Sequence, residues 1–165
     1  MAGAAWEQMA LLEVDGIPCA VGPGLRPAFA AGAAAKASFT VPETVQGLAV
    51  PWLVGRTPVP PGQSVSEYAR HGASLAVYPS ARDPDVLQEE LVRGGYAGDT
   101  PVLMAHKVGW PDQKLAWTTV EGLEQAAREQ GFTRQTVFLV LPGERQKEGA
   151  RSRLYDAGFS HGYRP

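Results

Sequence analysis

A chain of 165 residues holds one domain or two small ones, and it is too short for two full-sized catalytic domains. Hydrophobic residues at 44% and charged residues at 19% supply a core and exclude global disorder. A formal charge of −2 excludes a general nucleic-acid or anionic-membrane binder.

The spacing of Ala5, Met9 and Leu12 predicts a first helix, closed by Gly16. Ile17 to Val21 is a strand candidate, and its apolar setting makes Cys19 a buried structural thiol rather than a nucleophile. After Gly22-Pro23-Gly24, Pro27 opens an alanine-rich helix to about Lys36. Helix, strand, Gly-rich turn and helix make the second half of a parallel crossover unit, whose first strand has no counterpart here. Left without that neighbour, residues 17–21 and 28–35 form an apolar patch that favours self-association.

A boundary is expected near residues 41–45, dividing residues 1–44 from a C-terminal α/β domain, 45–165. Gly47 to Val54 reads as a strand. Ser64 and Glu67 form a capping box for a short helix ended by His71-Gly72. Leu75 to Tyr78 is the next strand. Asp83 caps a helix with Pro84 at its first position, Leu87 and Leu91 on one face, and Gly94 as its stop. Val102–His106 and Leu115–Thr118 are strands flanking the turn Gly109-Trp110-Pro111-Asp112. Thr118 with Glu121 is a second capping box, for a helix ending at Gly131, and Thr136 to Leu141 is the last strand. The 45–165 segment therefore predicts five strands and three helices. The 19 glycines and 14 prolines make up a fifth of the chain, above the usual ~12%, and belong to its turns and ligand-approaching loops.

Residue chemistry offers little by itself. His71, His106 and His161 share no metal spacing, and no P-loop, nucleophile elbow or HExxH helix is present, so no metal site and no catalytic group is expected. Asp83 and Asp85 read as a cap and its first-turn charge. Trp110 either anchors its turn in the core or offers a flat face to a planar ligand, and its bulk favours the anchor. The basic residues Arg145, Lys147, Arg151 and Arg153 are interspersed with Glu144 and Glu148, the pattern of a solvated segment. The apolar stretch 28–35 is far short of the ~20 residues that span a bilayer, and no basic leader precedes it, so a cytoplasmic location is expected.

Several longer motifs occur in order. They are Gly55-Arg56-Thr57-Pro58-Val59-Pro60, Asp99-Thr100-Pro101-Val102, Trp110-Pro111-Asp112-Gln113-Lys114, and Ser152-Arg153-Leu154-Tyr155-Asp156 with Phe159-Ser160-His161-Gly162-Tyr163-Arg164. Upstream stand Glu7-Gln8-Met9-Ala10-Leu11-Leu12-Glu13 and Phe39-Thr40-Val41-Pro42-Glu43. Together they resemble the precorrin-4 (cobalt-precorrin-4) C11-methyltransferases, a branch of the tetrapyrrole methylase family. The resemblance covers essentially the whole chain.

It implies an α/β protein with part of a parallel N-terminal domain and a complete C-terminal domain built on a five-stranded mixed sheet. It implies S-adenosyl-L-methionine as cofactor, a precorrin as substrate, C11-methylation in cobalamin biosynthesis as activity, and a homodimer. Because the cofactor brings the electrophile and the pyrrole-type carbon is already nucleophilic, the protein's task is positioning and exclusion of water. Gly24, Arg26 and Pro27 fall where the family has its Pro-Gly-Val-Ser-Ser cofactor loop, Pro79 where it has an apolar contact, and Val108-Gly109 where it has Ala-Thr. Lys107 stands where the family has arginine. Lys107 and Arg56 are the candidates to hold substrate carboxylates. Arg26 is long and charged, Pro27 lacks an N–H, and the family's two other glycine-rich cofactor loops have no counterpart. The expected form is thus N-terminally truncated and inactive alone, the alternative being a non-catalytic homologue acting as a binding or interaction module.

Overall fold

The elements follow from local signals read along the chain. In a computed structural model that describes residues 3–20, 24–53, 58–79, 84–132, 135–146 and 158, α1 is Gly3–Val14 and α2 is Pro27–Ala35. There follow β1 (Leu48–Ala49), β2 (Trp52–Leu53), α3 (Val65–Ala69), β3 (Ser74–Pro79), α4 (Pro84–Arg93), β4 (Pro101–His106), β5 (Lys114–Thr119), α5 (Leu123–Glu129), β6 (Thr136–Val140) and a 3-10 turn, Pro142–Gln146. Pro27 opens α2, because a first-turn residue has no intrahelical use for its N–H. Lys36, left-handed at φ 53°, closes it. At α3 the expected capping box is complete: Ser64 Oγ accepts from the Glu67 N–H, and the Glu67 carboxylate accepts from the Ser64 N–H. These bonds hold the Glu67 carboxyl below its ordinary pKa.

The strands make one mixed sheet in the order β1-β3-β6-β4-β5, with β2 also paired to β3. β1 and β2 run parallel to β3, and every other pairing is antiparallel. The single strand expected at 47–54 is therefore two, interrupted at Pro51, which has no N–H to give a ladder. β6, buried throughout, lies between β3 and β4. Side-chain alternation then sorts the sheet into two faces. Leu75, Val77, Val102, Met104, Phe138 and Val140 meet α3, α4 and α5. On the opposite face Ala76, Leu103, Ala105, Val137 and Leu139 meet Ala28 and Ala31 of α2. Alanines on both sides of that contact bring the α2 backbone close to the sheet.

Several expectations give way. Residues 17–20 form no strand, and Cys19 is half-exposed rather than buried, because no described strand lies beside them to complete a ladder. The inner face of α2 is covered by the sheet, so what remains apolar and exposed is Leu11, Leu12, Val14, Ile17, Leu25 and Phe29. Thr118 is not a helix cap: it pairs with Val102 in the β4–β5 ladder, and α5 begins only after Gly122, without a side-chain cap. Glu121 instead donates its N–H to the Gly98 carbonyl at 2.9 Å. Trp110 is 57% exposed, so it does not anchor its turn. Asp83, Arg56, Lys147, Arg151, Arg153 and the 152–157 and 159–164 motif segments lie outside the described residues, as does the side chain of Arg145.

Candidate functional site

Strand direction decides where a ligand can meet this sheet. β3 and β4 are each antiparallel to β6, with Val77 and Met104 both opposite Phe138, so β3 and β4 point the same way. β1 and β2 share that direction. β2, β3 and β4 therefore end on one side of the sheet, the carboxyl end at which open α/β sheets bind ligands. Pro79 ends β3 there, paired with Leu53, and Lys107-Val108-Gly109 follow β4.

The turn after β4 is built from left-handed residues, Lys107 at φ 48° and Gly109 at φ 83°. The Lys107 N–H donates to the Gln135 carbonyl at 2.9 Å, and the Gly109 N–H to Gln113 Oε1 at 2.8 Å. Val108 packs against the α2-side core, as Tyr78 does. Lys107 Nζ is paired with the Asp112 carboxylate, and that hydrogen bond holds the Asp112 pKa below its ordinary value.

His106, the last residue of β4, stacks on Phe132 at 5.5 Å, with Nδ1 3.0 Å from Thr136 Oγ1. Desolvation first, then the charges of Lys107 and Lys114, push its pKa below 6.5, with Asp112 opposing. A depressed histidine pKa means that the unfolded chain takes up the proton first, so the stability penalty begins as pH falls below about 6.5. Replacing His106 by Gln is therefore expected to flatten the loss of stability between about pH 7 and pH 5, checked by urea unfolding at the two pH values. The stability that Asp112 contributes is fully present across that window and is lost only as pH falls below its ordinary pKa of 3.8.

The start of α2 approaches the same end. Arg26 is extended, at φ −71° and ψ 146°, with no side-chain cap, and Pro27 has no N–H. The Ala28 N–H donates to the Tyr78 hydroxyl at 3.0 Å, and the Phe29 N–H returns to the Arg26 carbonyl at 3.0 Å. Tyr78 thus fastens the first turn of α2 to the end of β3, immediately before Pro79. Gly24, just upstream, is open: a Cβ there would meet nothing within 4 Å. Of the residues expected at the site, Arg26 and Pro27 are brought to Pro79 through the Ala28–Tyr78 bond, Lys107, Val108 and Gly109 follow β4 at the same end of the sheet, and Lys107 is engaged by Asp112.

Tyr78, Asp112 and Trp52, whose indole stacks on Tyr78 at 5.8 Å, escape the sequence reading. The available signal is a tyrosine ending an apolar strand, since a phenol at such a place needs a polar partner. Replacing Tyr78 by Phe keeps the ring and removes the acceptor, with an expected cost of about 1 kcal/mol. Amide exchange should quicken more at Ala28 than at Leu103, whose exchange follows global unfolding.

Among the described residues no group of His, Cys, Asp and Glu could hold a metal, and no helix is long and apolar enough to cross a membrane. The arrangement is a mostly apolar, backbone-lined end of a sheet, with one buttressed cation.

Residues 1–124 match the family model of the Tetrapyrrole (Corrin/Porphyrin) Methylases. The chain is 37% identical, over 99% of its length and 65% of the relative's, to a cobalt-precorrin-4 C(11)-methyltransferase of Priestia megaterium. It is 33% identical to the precorrin-4 C(11)-methyltransferase of Pseudomonas aeruginosa, over 99% of this chain and 65% of that one. The crystal structure of a cobalt-precorrin-4 methyltransferase superposes with a TM-score of 0.78 at 35% identity, covering 86% of this chain and 59% of that one. A uroporphyrin-III C-methyltransferase of Thermus thermophilus shares the fold at a TM-score of 0.66 and 19% identity, over 88% and 63% of the two chains. The chain thus spans a little under two thirds of the length of these relatives.

Proposed function

The chain belongs to the tetrapyrrole (corrin/porphyrin) methylases, and from that premise we propose that it serves the C11-methylation of precorrin-4 or cobalt-precorrin-4 in cobalamin biosynthesis. The observation that carries this reading is 37% identity sustained over 99% of the chain to a protein of that activity. The methyl donor on this reading is S-adenosyl-L-methionine, which supplies an electrophilic methyl on a sulfonium.

The residues present fit that cofactor at two of its expected contacts. Gly24 leaves an open approach, and the Val108-Gly109 turn lies at the same end of the sheet as Pro79, across β6, with its Gly109 N–H already given to Gln113. At the third, Arg26-Pro27, the fit is poorer: Pro27 donates nothing and the Ala28 and Phe29 N–H groups are already used. Contact there falls to the Arg26 side chain and to van der Waals packing on Pro27. Lys107 holds a substrate carboxylate in competition with Asp112, and Arg56 is the second cation for that role. The protein's contribution is alignment of the reacting carbon and exclusion of water.

A second copy of the chain is the proposed partner, supported by the exposed Leu11, Leu12, Ile17, Leu25 and Phe29, and the proposed location is the cytoplasm. The test is methyl transfer by the polypeptide that carries these residues, using labelled cofactor with precorrin-4 and with cobalt-precorrin-4 in parallel. Label at C11 of either product is expected, and the preferred arm identifies the substrate. Label in neither product overturns the reading.

A further inference from the structure

At the carboxyl end of the sheet, on the β1–β2 side, a cleft of about 180 Å³ is lined by Pro51, Trp52, Pro58, Val59, Gln63 and Tyr68, among others. We propose that this cleft is a subsite for one flat, uncharged ring of a tetrapyrrole, lying against the Trp52 indole. The proposal rests on the methyl-transfer reading and adds to it a place and a residue for the substrate.

Three observations carry it. Trp52 is 53% exposed yet held in place, because it is stacked on Tyr78 with an interplanar angle of 28°. An exposed indole fixed on a neighbouring ring is a rigid platform for a π-system. The opposite wall is Pro58-Val59-Pro60, and prolines hold their backbone without ligand, so the cleft is preformed. Among the described residues no charged side chain lines it, and the polar ends they offer are the Gln63 amide and the Tyr68 hydroxyl. These walls suit the neutral face of a ring. Its volume, below the ~300 Å³ of ordinary small-molecule pockets, suits one ring of a macrocycle rather than the whole. The pairings Trp52–Tyr78 and Leu53–Pro79 place it beside the end of β3, continuous with the candidate site.

The probe is uroporphyrin III, titrated into the chain and followed by its own absorbance. Trp52→Leu removes the platform while keeping an apolar side chain, and Val59→Glu sets a carboxylate on the far wall. Both positions are exposed, and thermal unfolding checks that each variant folds. Each is expected to weaken binding about tenfold, with Trp52→Phe recovering most of the loss. Equal affinity in the unaltered chain, Trp52→Leu and Val59→Glu overturns the subsite and leaves the methyl-transfer reading standing. An unaltered chain that binds no uroporphyrin overturns the subsite and counts against tetrapyrrole recognition as well.

Discussion

Replacing Gly94 by alanine is expected to destabilise the protein by about 2–4 kcal/mol, a drop of roughly 10 °C in Tm. Gly94 follows the last turn of α4, where the helix crosses α3. A methyl group there would stand 2.7 Å from the Ser66 carbonyl oxygen and 3.2 Å from Ser66 Cα, inside the reach of Ala69 Cβ. The obstacle is backbone, so no rotamer change relieves it. α3 is also tied at its start, through the capping box at Ser64 and through the Ser66 N–H, which donates to Glu90 Oε2 of α4 at 3.0 Å. Either the two helices separate or these bonds stretch. Gly95→Ala is the control: its φ of 97° disfavours a side chain, but a Cβ meets nothing within 4 Å, so a smaller cost of about 1 kcal/mol is expected. Thermal unfolding of the two variants side by side decides the matter. If Gly94→Ala costs no more than Gly95→Ala, the close approach of α3 and α4 is refuted.

Leu139→Ala should cost about 3–5 kcal/mol, the range for deleting a fully buried leucine from a core that cannot collapse. Leu139 is wholly inaccessible, in the middle of β6, opposite both Ala76 of β3 and Leu103 of β4 and on the face covered by α2. Its neighbours Ala28, Ala31, Ala76 and Ala105 are too short to fill the space it leaves. The damage should be directional. Amide exchange is expected to quicken in α2 more than in α4, which packs on the other face, while Leu139→Met should cost below about 1.5 kcal/mol. Since α2 carries Arg26 and Pro27, the same variant should loosen any ligand held at that corner. Uniform loss of protection across both faces would contradict the two-faced core.

Much of the fold was legible because it is written in short-range chemistry. Proline at a first helical turn, Ser64 with Glu67 three residues on, and apolar runs at 75–78, 102–106 and 136–141 each act over a few residues. What was not legible depends on partners distant in the chain. The Ala28–Tyr78 bond spans fifty positions, and neither residue announces it. Cys19 sits in a run with strand composition, but a strand exists only by pairing. Thr118 and Glu121 have the spacing of a cap, yet the β4–β5 ladder claims Thr118 first. Trp110 has the size of a core residue, but its turn stands clear of the core. At the candidate site, the resemblance to a family supplied the positions, and the sheet's strand directions put Pro79 and Lys107-Val108-Gly109 at one end of the sheet. Tyr78, the residue that fastens the start of α2 to β3, belongs to neither signal.

The place of β6 bears on how the protein comes to be made. β3 and β4 have no ladder with each other, and each pairs with β6, a strand reached only at residues 136–140. During synthesis both must wait with open edges until that strand has left the ribosome, and such waiting edges are where newly made chains stick to one another. Among the described strands, the one that joins the middle of the sheet is the last to arrive. A ribosome stalled before residue 136 would therefore release a chain whose β1–β2–β3 strands and β4–β5 hairpin have nothing to join them, a product for chaperones and proteases rather than a smaller working domain.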